Sequence, residues 1–465
     1  MNSRRLFLVL IAGLLSLAGC ATGPAPQASS PAADAPPIVF VHGDGDSAAL
    51  WQTTIWRFES NGWPRERLHA INMPYPQARD DDAKPQTGRT SSAEHMAFLK
   101  SEVEKVLKAT GARQVVLVGN SRGGNSIRNY ILNGGGEQKV SHAILGGTPN
   151  HGAWAQHIDG LPDGSEFAGH GPFLQALNRP KNASGDEVTG PVKWLTTRSD
   201  NNDKYAQPDG LWLGKRGVAT GVTAAGPELK GATNVVIPRI DHRETSYGPA
   251  AFAATYRFIT GREPATTAVV PESNVVLSGK VTGLGLSSID PASGNFVNNL
   301  PLPGAQLQVF ATEPLTGERR GAAVHSKTIG QDGIWGPFTA QPDTRYEFVI
   351  NAPGYATTHI YRSPFPRSSS IVNLRAERIA EADKNAPAIV TMTRPRGYLD
   401  PGRDKMAFDG QNPPPGAVLG AGVASSKIKP TGLPRTVTGE FNGERVTGRS
   451  WPASENHLSI LELTY

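Results

Sequence analysis

The run Gln114-Val115-Val116-Leu117-Val118 passes directly into Gly119-Asn120-Ser121-Arg122-Gly123, and this junction constrains the fold more than any other local feature of the chain. A short β-branched stretch ending at glycine reads as a buried strand. The residues after Gly124, with Ile127, Tyr130 and Ile131 at helical spacing, read as a helix. The backbone must turn sharply between the two, and glycines on either side of Ser121 remove the Cβ atoms that would obstruct the turn. Similar alternation continues on both sides. Pro37–Val41, Leu68–Asn72, Val140–Gly146, Val192–Ser199 and Asn234–Pro238 are predicted strands. Ser92–Thr110 is a predicted amphipathic helix, with Met96, Phe98, Leu99, Val103, Val106 and Leu107 near one face. Strands alternating with helices predict an α/β class with a mostly parallel sheet.

A Gly-x-Ser-x-Gly between strand and helix resembles the nucleophile elbow of the α/β-hydrolase superfamily. Gly147-Thr148-Pro149-Asn150-His151-Gly152 is similar to a loop of bacterial class 2 lipases and related esterases. The resemblance covers roughly residues 37–262 and implies an α/β-hydrolase fold with Ser121 as nucleophile. It also implies an oxyanion hole built from the backbone N–H groups of Asp44, in the His42-Gly43-Asp44-Gly45 loop, and of Arg122. The acid and base then follow the serine in chain order. Asp203, at the end of the strand near Val192–Ser199, is the implied acid, with Asp200 and Asp209 as alternatives. His242, after the last strand and ahead of a predicted helix over Pro249–Thr260, is the implied base; His151 is the rival but precedes the acid. In this reading an ester carbonyl is attacked, an acyl-enzyme forms, and activity rises with pH as the imidazole loses its proton.

The rest of the chain sets the context. At 465 residues it exceeds one ordinary core, so several domains are expected. The formal charge of +5 is spread thinly over this length, which excludes a nucleic-acid footprint. The single cysteine, Cys20, rules out an internal disulfide framework and a Cys-ligated metal site, and no cofactor or metal is expected. Arg4 and Arg5, the apolar run Leu6–Leu17 and Leu17-Ala18-Gly19-Cys20 resemble a bacterial lipoprotein signal peptide over residues 1–20. Lipidation at Cys20, an outer-membrane anchor favoured by Ala21, and a Pro/Ala/Ser-rich tether over 21–36 are what that resemblance implies. Ser3-Arg4-Arg5-Leu6-Phe7 leaves twin-arginine and general export both open.

Residues 147–191 form a predicted cap insertion. Its Trp154, Phe167, Phe173, Leu174 and Leu177, with Trp51, Trp56, Trp63 and Tyr75 after the first strand, are candidates for an acyl pocket or for plain packing. Asp80-Asp81-Asp82 is read as a solvated acidic loop rather than a calcium site. Beyond a linker over 263–273, residues 274–378 resemble a transthyretin-like β-sandwich, and 386–465 read as a further β-rich segment with a hairpin at Asn442-Gly443. The expected function is carboxylic ester hydrolysis on an apolar acyl substrate. A polyester depolymerase and a non-catalytic surface binding protein are the alternatives.

Overall fold

The computed structural model describes residues 35–200, 202–286, 295–420, 422–432 and 434–465. The expected signal peptide, Cys20 and nearly all of the tether lie outside them.

Six parallel strands form the sheet that carries Ser121. They are β1 (Ile38–Val41), β2 (Leu68–Ala70), β3 (Val115–Asn120), β4 (Val140–Gly146), β5 (Lys193–Ser199) and β6 (Thr233–Ile237), in the spatial order 2-1-3-4-5-6. Alternation along the two central strands decides what covers each face. Val39, Val41, Val115 and Leu117 point to one side, where α2 (Ser92–Thr110) and α3 (Arg122–Asn133) supply Leu99, Val103, Val106, Ile127 and Tyr130. Ile38, Phe40, Val116 and Val118 point to the other, against Phe58 of α1 (Gln52–Ser60) and Phe252 and Tyr256 of the helix Pro249–Thr260.

Both faces are therefore buried, which is why these strands read as unbroken apolar runs. The second helix spans the residues its periodicity predicts. It starts at a capping box between Ser91 and Glu94 and stops at Gly111 in the left-handed region. By contrast, α1 has no clean apolar stripe, because Gln52, Thr53, Thr54 and Arg57 are all buried, and the sequence does not announce it.

The C-terminal half is built of β-strands. Its largest sheet runs in the order His325–Thr328, Gln306–Thr312, Arg345–Asn351, Thr357–Arg362, His457–Glu462, Val390–Thr393, Ser425–Ile428. His457–Glu462 pairs in parallel with both Thr357–Arg362 and Val390–Thr393. The segments 274–378 and 386–465, whose relation the sequence leaves open, thus share one sheet. The hairpin forms as expected between Thr436–Phe441 and Glu444–Arg449, with positive φ at both Asn442 and Gly443.

This half is welded to the first. Trp56, fully buried, projects from α1 into the core of the C-terminal sheet and donates its indole N–H to Ser368 O at 2.9 Å. At about 25 cal/mol per Å2 over the roughly 150–250 Å2 an aromatic side chain buries, that contact contributes on the order of 4–6 kcal/mol. The predicted linker has no regular structure but is pinned to α1, with Thr266 O and Thr267 O accepting from Asn61 and Arg57.

Candidate active site

Ser121 occupies φ 52°, ψ −123°, a region that non-glycine residues rarely enter and that costs on the order of 1–3 kcal/mol. The strain is held in place from both sides. Ser121 N–H donates to Gly146 O at 2.8 Å, and a Cβ on Gly123 would stand 2.5 Å from Val41 O. A Cβ on Gly119 would lie 2.7 Å from Ile127 Cδ1. The elbow glycines are thus demanded by the approach of α3 to β1 and β3. Ser121 itself is left half-buried, facing a cavity of about 270 Å3.

His242 lines the same cavity. Its Nδ1 lies 2.9 Å from each oxygen of Asp203, and both residues are buried. The Tyr205 ring packs edge-on against the imidazole at 4.5 Å between centroids. Asn120, next to the serine, donates to Ser246 Oγ at 3.0 Å and to His242 O at 3.4 Å, so the elbow and the histidine loop are tied together.

The other candidates for acid and base are engaged elsewhere. Asp200 accepts from Arg239 N–H and Asn202 N–H, and Asp209 accepts from Leu211 N–H. His151 pairs through Nε2 with Glu187 at 2.8 Å inside the cap.

The loop after β1 also faces the cavity through Asp44 and Asp46. His42 is buried and structural: Nε2 accepts from Met73 N–H at 3.1 Å while Nδ1 meets Gly43 O at 2.9 Å. That bonding requires neutral imidazole, and burial pushes the His42 pKa below its ordinary value. Arg122 opens α3, where the first backbone N–H has no partner within the helix.

The side chain of Arg122 matters more than the sequence suggests. It is completely buried, and all its donors are used: two reach Glu166 at 2.7 and 2.8 Å, and the others reach Pro76 O, Thr90 O and Thr90 Oγ1. Glu166 belongs to the cap, so the residue after the serine fastens the cap over the site.

The walls mix a residue the sequence marked, Phe167, with others it did not. Phe167 and Ala153 of the cap line the cavity, whereas Trp154, Leu174 and Leu177 are buried in packing elsewhere. Tyr205 and Leu213 come from the irregular stretch after β5. Trp51, Trp56 and Trp63 are core residues and none lines this cavity. The three aspartates at 80–82 serve as local turn and cap acceptors, Asp82 holding Ser92 N–H and Oγ at 2.6 Å each.

The remaining wall belongs to the C-terminal half. Tyr398 faces the cavity, and the loop around it grips the residues flanking His242. Asp241, fully buried, accepts from Arg394 at 3.0 Å, Arg403 at 3.2 Å and Tyr398 N–H at 2.8 Å. Glu244 takes Arg394 at 2.5 Å and Arg403 at 2.6 Å. Burial opposes the charge on Asp241, but the two guanidinium groups and neighbouring N–H donors outweigh it and its pKa is lowered. Burial and the adjacent Asp241 push Glu244 up. Arg243 bridges further, to Asp46 at 2.7 Å and Pro395 O at 2.9 Å. Asn299 donates to Asp46 O and Met73 O. The loop after β1 and the His242 loop therefore both lean on the C-terminal half. Density of charge at Asp241-His242-Arg243-Glu244 and at Arg394 to Asp404 was the available signal.

A parallel sheet with a strained serine at the strand-to-helix corner, facing a buried His–Asp pair across one cavity, defines an α/β-hydrolase. Within this chain, residues 35–165 match the family model for class 2 lipases, and residues 273–379 match that of the lipase C-terminal domain. These matches support ester hydrolase activity. Similar solved structures include the mature form of Bacillus licheniformis lipase BlEst2, at 21% identity over 51% of this chain and 96% of that one, TM-score 0.35. Its propeptide form is similar at 16% identity over 92% and 94%, TM-score 0.36. Carboxylesterase CesB from Bacillus subtilis is similar at 17% identity over 50% and 86%, TM-score 0.29.

Proposed function

We propose that the protein hydrolyses carboxylic esters through an acyl-enzyme on Ser121. The observation that carries this reading is the cavity shared by the strained Ser121 and by His242, whose far nitrogen is held by Asp203. His242 accepts the serine proton as Oγ attacks the carbonyl, then returns it to the leaving alkoxide. Asp203 fixes the tautomer and stabilises the imidazolium that forms. The oxyanion is received by the backbone N–H groups of Asp44 and Arg122, at the mouth of α3. Water then takes the place of the alcohol, with His242 as base, and releases the acid.

Phe167, Leu213, Ala153 and Pro149 give the cavity an apolar side suited to an acyl chain. The cap and Tyr398 wall the cavity on two sides, which favours small esters and glycerides over a polymer chain that must lie along an open groove. An exported, lipid-anchored enzyme is the setting proposed from the sequence around Cys20.

A fluorophosphonate probe tests the chemistry. Covalent labelling of the parent and its loss in Ser121→Ala, with p-nitrophenyl ester turnover falling by at least about 1,000-fold, are expected. Unchanged turnover in that variant refutes the assignment.

A further inference from the structure

Among the described residues, one cluster of potential metal ligands stands outside the catalytic machinery, at the outer end of the cap. His157 Nδ1 and His170 Nε2 both lie 2.7 Å from the same oxygen of Asp163, and the three ligand atoms are all within 4.8 Å of one another. The outer nitrogen of His157, Nε2, faces Asp159 Oδ1 at 3.2 Å.

We propose that His157, Asp163 and His170 bind a divalent transition-metal cation of the zinc class, which closes the cap loop carrying Glu166 and Phe167. Two imidazoles and one carboxylate form a nitrogen-rich set that suits Zn2+ and fits Ca2+ or Mg2+ poorly, since those ions favour oxygen. Bonds of about 2.0–2.2 Å in tetrahedral geometry separate ligand atoms by about 3.3 Å. The two imidazole-to-carboxylate contacts, both 2.7 Å, therefore need to open by about 0.6 Å. An ion placed between them replaces two hydrogen bonds to a single carboxylate oxygen, with Asp163 ionised and both imidazoles neutral. Asp159 on the far nitrogen of His157 is the outer carboxylate that commonly orients a ligating imidazole. His157 and Asp163 are exposed, so remaining coordination positions are open to water.

The loop between the ligands is already folded back by successive turns, Ser165 N–H to Pro162 O, Ala168 N–H to Ser165 O and Gly171 N–H to Ala168 O. Glu166 and Phe167 lie within it. One fastens the cap to Arg122 and the other lines the cavity. A cation joining Asp163 to His170 fixes both ends of this short segment, and binding energy becomes stability of the cap.

Calorimetric titration of chelator-stripped full-length protein with ZnCl2, alongside CoCl2 followed by visible absorption, tests the site. One ion per chain, the d–d absorption of low-coordinate Co2+ and a rise in melting temperature with Zn2+ are expected. His157→Ala and His170→Ala each weaken binding by at least about tenfold, and Asp159→Asn by about tenfold. Melting of the three variants in chelator, expected to match the parent, shows that they fold. No uptake by the stripped protein, or affinity unchanged in the two histidine variants, overturns the proposal, as does a preference for Ca2+. Ser121→Ala is expected to bind Zn2+ as the parent does, so this test and the test of ester hydrolysis fail independently.

Discussion

Two covers meet over the Ser121 cavity, and they are fastened with opposite polarity. On the cap side the cation, Arg122, belongs to the serine corner, and the carboxylate, Glu166, belongs to the cover. On the C-terminal side the carboxylates, Asp241 and Glu244, flank His242, and the cations, Arg394 and Arg403, belong to the cover. The cap's bond holds a rigid helix start that β3 and the elbow glycines already fix. The C-terminal bonds hold an irregular loop that runs from the end of β6 into the short helix Glu244–Tyr247. A helix terminus needs little support, whereas a loop that must present an imidazole needs much. The two attachments therefore differ in what they protect: one positions a wall, the other the imidazole of His242.

The contrast can be broken most directly on the C-terminal side. Replacing Arg394 and Arg403 together by Met strands buried Asp241 and partly buried Glu244, with an expected loss of about 3–5 kcal/mol in urea unfolding. A fall in kcat of about 100-fold, typical of ångström-scale misplacement, is expected with it. Adding Asp241→Asn and Glu244→Gln removes the stranded charge and is expected to recover much of the stability but not kcat. Recovery of both would make the clasp purely structural.

On the cap side, Glu166→Gln keeps the shape but strips the charge opposite Arg122, and a loss of about 1–3 kcal/mol is expected. Its kinetic signature should be a raised KM with kcat within a few-fold. A kcat collapse equal to that of the arginine variants would erase the distinction.

The smallest effect concerns Lys204, which donates to Gly422 O at 3.1 Å and lies over the Tyr398 ring at 4.5 Å. Burial, reinforced by Arg243, lowers its pKa to about 8 from an ordinary 10.5. Between those values the unfolded chain binds the extra proton, so this group makes stability rise with pH over that window. Lys204→Met is expected to flatten that rise in melting temperature measured from pH 8 to 10.

The parallel sheet was legible because burial on both faces writes itself into uninterrupted apolar strands, and the elbow because a strained serine needs glycines beside it. Ser121 and His242 could be placed from motif and order. Asp203 could not be separated from Asp200 by sequence, since both follow the same strand within one short loop. Only the fold shows that Asp200 turns toward Arg239 N–H. Arg394, Tyr398 and Arg403 could not be assigned to the site for a different reason, although their charge run was in view. Their partners lie some 150 residues away, and no local periodicity records a pairing of that range. α1 was hidden too, because its buried face is partly polar.

One consequence follows from the place of His457–Glu462 in the middle of the large C-terminal sheet. Val390–Thr393 pairs with Ser425–Ile428 on one side, but that pair joins the rest of the sheet only through the late strand beside Thr357–Arg362, and the arginines at 394 and 403 follow Val390–Thr393 in the chain. The serine corner is built within the first half of the chain, whereas the support of the His242 loop comes from its last quarter. On the proposed reading, a molecule whose C-terminal sheet is incomplete would hold its serine in place but not the imidazole meant to activate it.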